Sequence, residues 1–424
     1  MSNIKYIHIF GGGTISPIAT HLAVCAPAYG GTARRLQKLI AADTRFNNYN
    51  VELELTKMAG GCRLETNEDI AKRIAELKES SGTKIIFLTA ALCDYKAQKV
   101  ESPSLPGWSR EEDKIGANSP RIASRAADLL TVEFAAADKL VSSVRTGRKD
   151  IFLVAFKVTT GFSCEEMYKA GLRLCKEGSC NLVLVNDLVT NLNMIVTPEE
   201  AAYHTSTSRN ETLQQLIDMA FYRSQLTFTQ STVVEGNPVS WYDERVPASL
   251  RTVVDYCISK RAYKPFNNAT VGHFAVKLSD TEFLTSIRKS NFNNLSTTGL
   301  VYVKTDGPDT VLAYGAKPSV GGQSQRIVFN DHQGFDCIVH FHCPIKKGNK
   351  HDIPTVSQRE VECGSHQCGL QTSKGLKTFG NLKAVYLDNH GPNIVFNKSI
   401  DPAEIIQFIE DNFELSEKTG GYNL

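Results

Sequence analysis

The chain has 424 residues, of which 42% are hydrophobic and 22% charged, and a formal net charge of +2. That length sets the expectation of two or three domains. The near-neutral balance excludes a polyanion-binding face or a membrane-surface patch as an organising feature, and no apolar run approaches spanning length, so neither nucleic acid nor membrane is expected as a partner.

The first segment, Lys5-Tyr6-Ile7-His8-Ile9-Phe10-Gly11, reads as a buried strand running into a glycine turn, too short and too polar for a signal peptide. Further strands are expected over residues 51–56, 83–89, 151–156 and 181–185, with helices over 32–42, 67–80 and 164–176 between them. The second helix is opened by a Thr66/Asn67 cap with acids in its first turn. This order predicts βαβ units and a parallel sheet. The ligand site of such a sheet lies beyond the carboxyl ends of its strands, where residues 11–14, 89–95 and 186–187 fall.

A helix over 211–226 and a Thr/Ser/Val stretch ending at Gly236-Asn237-Pro238 read as a bridge. Beyond it the pattern changes to α+β: a helix over 247–261, short strands over 272–278, 283–285, 300–304 and 311–314, a helix near 322–330, two histidine-bearing strands and a last helix over 402–412. The expected division is therefore residues 1–205, a bridge over 206–240, and a second domain over 241–424. Eleven cysteines are scattered through apolar strands (Cys93, Cys180, Cys337), which suits the reduced thiols of a cytoplasmic protein. Cys363 and Cys368 have no second Cys/His pair at zinc-finger spacing and read as local packing.

The most informative segment is Ile338-Val339-His340-Phe341-His342-Cys343-Pro344, a β-type run in which His340 and His342, two apart, project to one face. A third histidine, His390, ends the apolar run Ala384-Val385-Tyr386-Leu387-Asp388-Asn389-His390-Gly391. Three imidazoles with one position left for substrate suit a catalytic zinc or another divalent transition metal.

Residues 4–200 resemble the phosphopantothenoylcysteine synthetase family. The matching pieces are Phe10-Gly11-Gly12-Gly13-Thr14 after a strand, Thr89-Ala90-Ala91-Leu92-Cys93-Asp94-Tyr95, Lys114-Ile115, Phe156-Lys157-Val158-Thr159-Thr160 and Asn186-Asp187, in the family's order. The resemblance implies a Rossmann-like sheet and activation of a carboxylate by ATP or CTP with magnesium, followed by attack of an amine. It places Gly12, Gly13 and Thr14 around the nucleotide, Ala91 and Asp94 in its pocket, Lys114 and Lys157 on its phosphates and Asn186 on the nucleoside. Two departures stand out: no Asn occurs in residues 24–32, and Thr159 replaces the glutamate of the FKxET motif.

Residues 245–415 resemble the class II aldolase/adducin family. Gly272-His273-Phe274-Ala275 stands for its first phosphate turn, Thr285-Ser286-Ile287-Arg288-Lys289-Ser290 for its second, and Lys317-Pro318-Ser319-Val320-Gly321 for KPSxE, while His340-Phe341-His342 and His390-Gly391 match fully. The resemblance implies substrate contacts from Gly272, His273, Arg288, Lys289, Lys317 and Ser319, and zinc held by His340, His342 and His390. Gly321 occupies the position of the acid/base glutamate; the remaining catalytic candidates are Gln323, which can orient a water or hydroxyl but not act as a general base, Glu360 or Glu362 from another loop, and Tyr422. Together the two resemblances imply a bifunctional enzyme: a nucleotide-dependent ligase-like domain joined to a zinc lyase-like domain for a small phosphorylated or carboxylated substrate. The alternatives are a single zinc activity with a nucleotide-binding regulatory domain, or an adducin-like assembly protein. Both families imply homo-oligomers, as dimer, tetramer or larger.

Overall fold

A computed structural model describes residues 5–102, 109–111, 114–122, 128–266 and 268–419. The chain divides into two units, one of Met1–Val196 with His204–Phe221 and one of Thr197–Tyr203 with Tyr222–Leu424. The sequence-based division falls differently: the short segment Thr197–Tyr203 goes with the second unit, and most of the helix expected in the bridge goes with the first.

The first unit is built on a seven-stranded sheet of β1 (Lys5–Gly11), β2 (Tyr49–Leu55), β3 (Thr83–Leu88), β4 (Phe152–Thr159), β5 (Leu182–Asp187), β6 (Asn193–Val196) and β7 (Ala202–Ser206, which belongs to this unit from His204 on). Their spatial order is β7-β6-β5-β4-β3-β1-β2, and β2, β1, β3, β4 and β5 run parallel. Ile7, Ile9, Ile85, Phe87, Val154 and Leu184 are fully or almost fully buried. Such near-continuous apolar runs are what a parallel sheet covered on both faces requires. The helices α1 (Gly31–Ala41), α2 (Asn67–Glu79) and α3 (Cys164–Glu177) lie within two residues of their expected limits. Thr66 and Asp69 form a reciprocal capping box at the start of α2. Helix α4 (Arg209–Arg223) follows. The parallel sheet is the one predicted.

The second unit carries a ten-stranded sheet. Its main path is β8 (Gln230–Val234), β12 (Thr310–Tyr314), β11 (Leu300–Thr305), β10 (Glu282–Ser286), β9 (His273–Lys277), β13 (Cys337–His340), β15 (Gly391–Phe396), β14 (Leu382–Leu387) and Thr355–Val356. The stretch read as a bridge thus supplies strand β8, pairing parallel with β12. Helices α5 (Ala248–Ser259) and α8 (Pro402–Asn412) share one apolar cluster with Phe274, Val339, Phe341 and Phe396. Helix α6 (Gln323–Asp331) lies beside a second cluster containing Ala275, Val303, Val328, Ile338 and Val395. Helix α7 (His366–Gly375) is capped by Ser365, which accepts from Cys368 N at 3.1 Å. Cys368 in turn donates to Gln358 Oε1 at 3.4 Å, so the Cys363–Cys368 stretch serves the start of a helix.

Alternation through the central strand decides where the histidines go. Cys337, Val339, Phe341 and Cys343 enter the first cluster and Ile338 the second, which leaves His340 and His342 on the face of Ile338. The strand is shorter than expected, ending at His340, and His342 lies beyond it. Register supplies the reason. His340 pairs with Asn393, so the next rung would need Pro392, which has no N–H to donate. Burial of Phe341, worth about 2 kcal/mol, carries the alternation past the end of the ladder.

Candidate functional site

The second unit brings His340, His342 and His390 together. All three are buried, and one ring nitrogen from each lies within 4.8 Å of the others. Ring centroids are 5.0 Å apart for His340–His342 and 4.6 Å for each pair with His390. The turn between β14 and β15 delivers His390, and it depends on Gly391, at φ +145°, where a Cβ would stand 2.1 Å from the Phe341 carbonyl oxygen. Gly272 does the same on the other side: at φ +117°, its Cβ would meet the His340 carbonyl oxygen at 2.6 Å.

His340 Nδ1 donates to the Pro392 carbonyl at 2.8 Å. This fixes the tautomer and leaves Nε2 with its lone pair; that atom is buried and has no hydrogen-bond partner among the described residues. Burial first, and then the neighbouring imidazoles of His390, His273 and His342, push the His340 pKa well below its ordinary 6.5. A neutral imidazole with an orphaned lone pair among two others is a donor set that fits a divalent metal. A second His/acid group, His8 with Glu52 and Glu54, lies in the first unit, but Arg73 already pairs with both carboxylates there at 3.0 and 2.7 Å.

His273 stands beside the trio, paired across the sheet with His340 at a ring separation of 4.9 Å. Burial, aided by the charge of His342, lowers its pKa to about 3. Gln325 Nε2 donates to His273 Nδ1 and to Thr285 Oγ1, both at 3.2 Å, which places the His273 proton on Nε2. Gln325 is fully buried on α6 and was not singled out from sequence. The other residue that sequence missed is Glu200. Its carboxylate is buried, 3.8 Å from His342 Nδ1 and 2.8 Å from the buried Lys418 amine.

Of the expected substrate contacts, residues 285–290 and 317–319 meet at an Ile287–Pro318 bridge, where Arg288 N donates to Lys317 O at 2.9 Å and Ser286 to Ser319 at 2.9 Å. Arg288, Lys289 and Lys317 are exposed, and Ser319 is buried. Glu360 is exposed and pairs with Arg359 at 3.3 Å, whereas Glu200 brings a carboxylate to 3.8 Å from His342 Nδ1. The Gln323 side chain and Tyr422 lie outside the described residues.

In the first unit, residues 12–14, 91–94 and 186–187 fall at the carboxyl edge of the parallel sheet. Two amides of the glycine turn are committed within the chain: Gly13 N donates to Ala28 O at 2.7 Å and Thr14 N to Ala91 O at 2.9 Å. The Thr14 hydroxyl donates to Asn67 Oδ1 at 2.7 Å and accepts from Cys93 N at 2.9 Å. Gly12, at φ +100°, packs against Thr56 and Ala59. Asp94 is exposed and paired with Lys139 at 3.1 Å, while Lys114 and Lys157 are exposed. Asn186 is half-buried next to Asp187, whose carboxylate organises the following loop. Burial works to raise the Asp187 pKa, but hydrogen bonds from Thr190, Phe162, Thr159 and Val189 outweigh it and hold the group well below the carboxylate range.

No protein-family model matches the chain, and no curated protein matches it. Among solved structures, it is similar to the DNA/pantothenate metabolism flavoprotein of Streptococcus pneumoniae, with 15% identity and a TM-score of 0.42 over 50% of this chain and 96% of that one. It is also similar to YgbL of Escherichia coli, a putative aldolase/epimerase/decarboxylase, with 18% identity and a TM-score of 0.28 over 38% of this chain and 87% of that one. An L-fuculose 1-phosphate aldolase aligns with 15% identity and a TM-score of 0.30 over 38% of this chain and 81% of that one.

Proposed function

We propose that the second unit is a metal-dependent enzyme of the aldolase or lyase type, acting on a small phosphorylated or carboxylated molecule. The observation that carries this reading is the orphaned His340 Nε2, held by the Pro392 bond in the tautomer a metal requires and facing two other buried imidazoles. His340, His342 and His390 would hold the ion, and zinc or a similar metal supplies a Lewis acid for carbonyl and hydroxyl oxygens when bound. His273, with its proton on Nε2, offers a neutral donor to an oxygen of the substrate. Arg288, Lys289 and Lys317, brought to one place by the Ile287–Pro318 bridge, offer positive charge for a phosphate or carboxylate group.

The first unit is read as a nucleotide-binding partner in the same chain, through the loops at the carboxyl edge of its sheet, with carboxylate activation as its chemistry. Metal analysis of the purified protein tests the first part, with one zinc-class ion per chain expected and close to none in His340→Asn. A rise in melting temperature with ATP–Mg or CTP–Mg tests the second, and failure of both nucleotides removes it.

A further inference from the structure

We infer that Glu200 is a positioning residue of the metal centre, acting on the His342 imidazole from its Nδ1 edge; this rests on the metal reading above. The chain supplies no carboxylate between Lys317 and Asp331, the stretch where the aldolase-like pattern would place one. A carboxylate that approaches His342 comes instead from residues 197–203, a segment of the second unit. Glu200 Oε2 lies 3.8 Å from His342 Nδ1, close enough for its charge to favour the tautomer with the proton on Nδ1 and the lone pair on Nε2.

The segment is built to aim this side chain. Glu200 sits at φ 70°, an uncommon conformation for a residue with a side chain, which persists where the surroundings enforce it. Those surroundings are a tight turn, with Glu200 N donating to Thr197 O at 3.1 Å and Thr197 N to Ala201 O at 3.0 Å. The neighbouring Glu199 is anchored by a fully buried pair with Arg223, which also holds the Arg359 and Gln358 carbonyls. On the far side, Lys418 Nζ at 2.8 Å fixes the Glu200 carboxylate and neutralises it. The Glu200 carboxylate thus stands between the Lys418 ammonium and the His342 imidazole, at ion-pair distance from the ring, where its charge can act on a histidine ligand from outside the first coordination sphere.

The test uses the full-length protein, zinc and cobalt(II). Glu200→Gln keeps the side-chain shape, and zinc affinity by chelator competition should fall by about 10- to 100-fold. The visible absorption of the cobalt(II) form should change, and ¹⁵N NMR of the metal-free protein should show His342 losing its preference for the Nδ1–H form. The double variant Glu200→Gln/Lys418→Met, which removes the Lys418 charge together with that of Glu200, should show the same loss. Affinity within twofold of wild type with an unchanged cobalt spectrum in Glu200→Gln would overturn the inference. So would recovery of wild-type affinity in the double variant, because the loss would then come from the Lys418 charge rather than from His342. If wild type binds no metal, or if His340→Asn binds it as tightly, the metal reading itself fails.

Discussion

The His340 imidazole and the Pro392 carbonyl are joined by a 2.8 Å hydrogen bond at the point where the central strand loses its ladder. The proline that ends the pairing also supplies the acceptor that sets the tautomer. Structure and chemistry therefore meet at one residue, and the consequences can be measured.

Gly391 is the hinge of this arrangement. Replacing it with Ala would place a Cβ 2.1 Å from the Phe341 carbonyl oxygen at a φ of +145°. The expected cost is about 2–4 kcal/mol of stability, combining backbone strain with a displaced β14–β15 turn. Urea unfolding of the metal-free protein measures it, and metal affinity should fall in parallel because His390 moves with the turn.

Acid should destabilise the metal-free second unit through its buried imidazoles. His273 is lowered from 6.5 to about 3, and His340 is also depressed. A depressed histidine is neutral in the fold while the unfolded chain takes up a proton. Stability present above pH 6.5 is therefore lost as pH falls toward 3, at about 1.4 kcal/mol per pH unit for each such group. Denaturant midpoints at pH 7.5, 6.5 and 5.5 test the sign; a midpoint rising with acidity contradicts it.

Gln325 should matter to His273 more than to the fold at large. Gln325→Leu removes the donor to both His273 Nδ1 and Thr285 Oγ1. A loss of about 1–3 kcal/mol is expected from the unsatisfied partners. The ¹⁵N shifts of His273 should move from a fixed Nε2–H form toward a mixture of tautomers.

The Glu199–Arg223 pair gives an independent check on how residues 197–203 are anchored. Both side chains are fully buried, so Arg223→Met should cost about 3–5 kcal/mol by stranding the carboxylate. The double variant Glu199→Gln/Arg223→Met should recover most of that loss. Thermal melts of the two variants and wild type decide the point.

The histidine trio was legible because period-two alternation survives one residue past a strand end, and because a glycine after His390 marks a close backbone approach. The βαβ order of the first unit was legible for a related reason: buried parallel strands read as unbroken apolar runs. Glu200 was not, since a left-handed turn far upstream aims it and no local pattern marks that turn as part of the second unit. Gln325 was passed over for Gln323 two positions away, and which face of a helix looks inward is set only by packing. Strand β8 escaped notice because it is a polar, half-exposed edge. The commitment of the Gly13 and Thr14 amides was equally hidden, as their acceptors Ala28 and Ala91 lie on other loops.

The most direct measurement is metal stoichiometry with affinity, by elemental analysis and chelator competition, on wild type and His340→Asn. One divalent zinc-class ion per wild-type chain is expected, and its loss in the variant, with both proteins folded by circular dichroism. A folded wild-type protein that takes up no such ion, or a variant that keeps it with undiminished affinity, would contradict it.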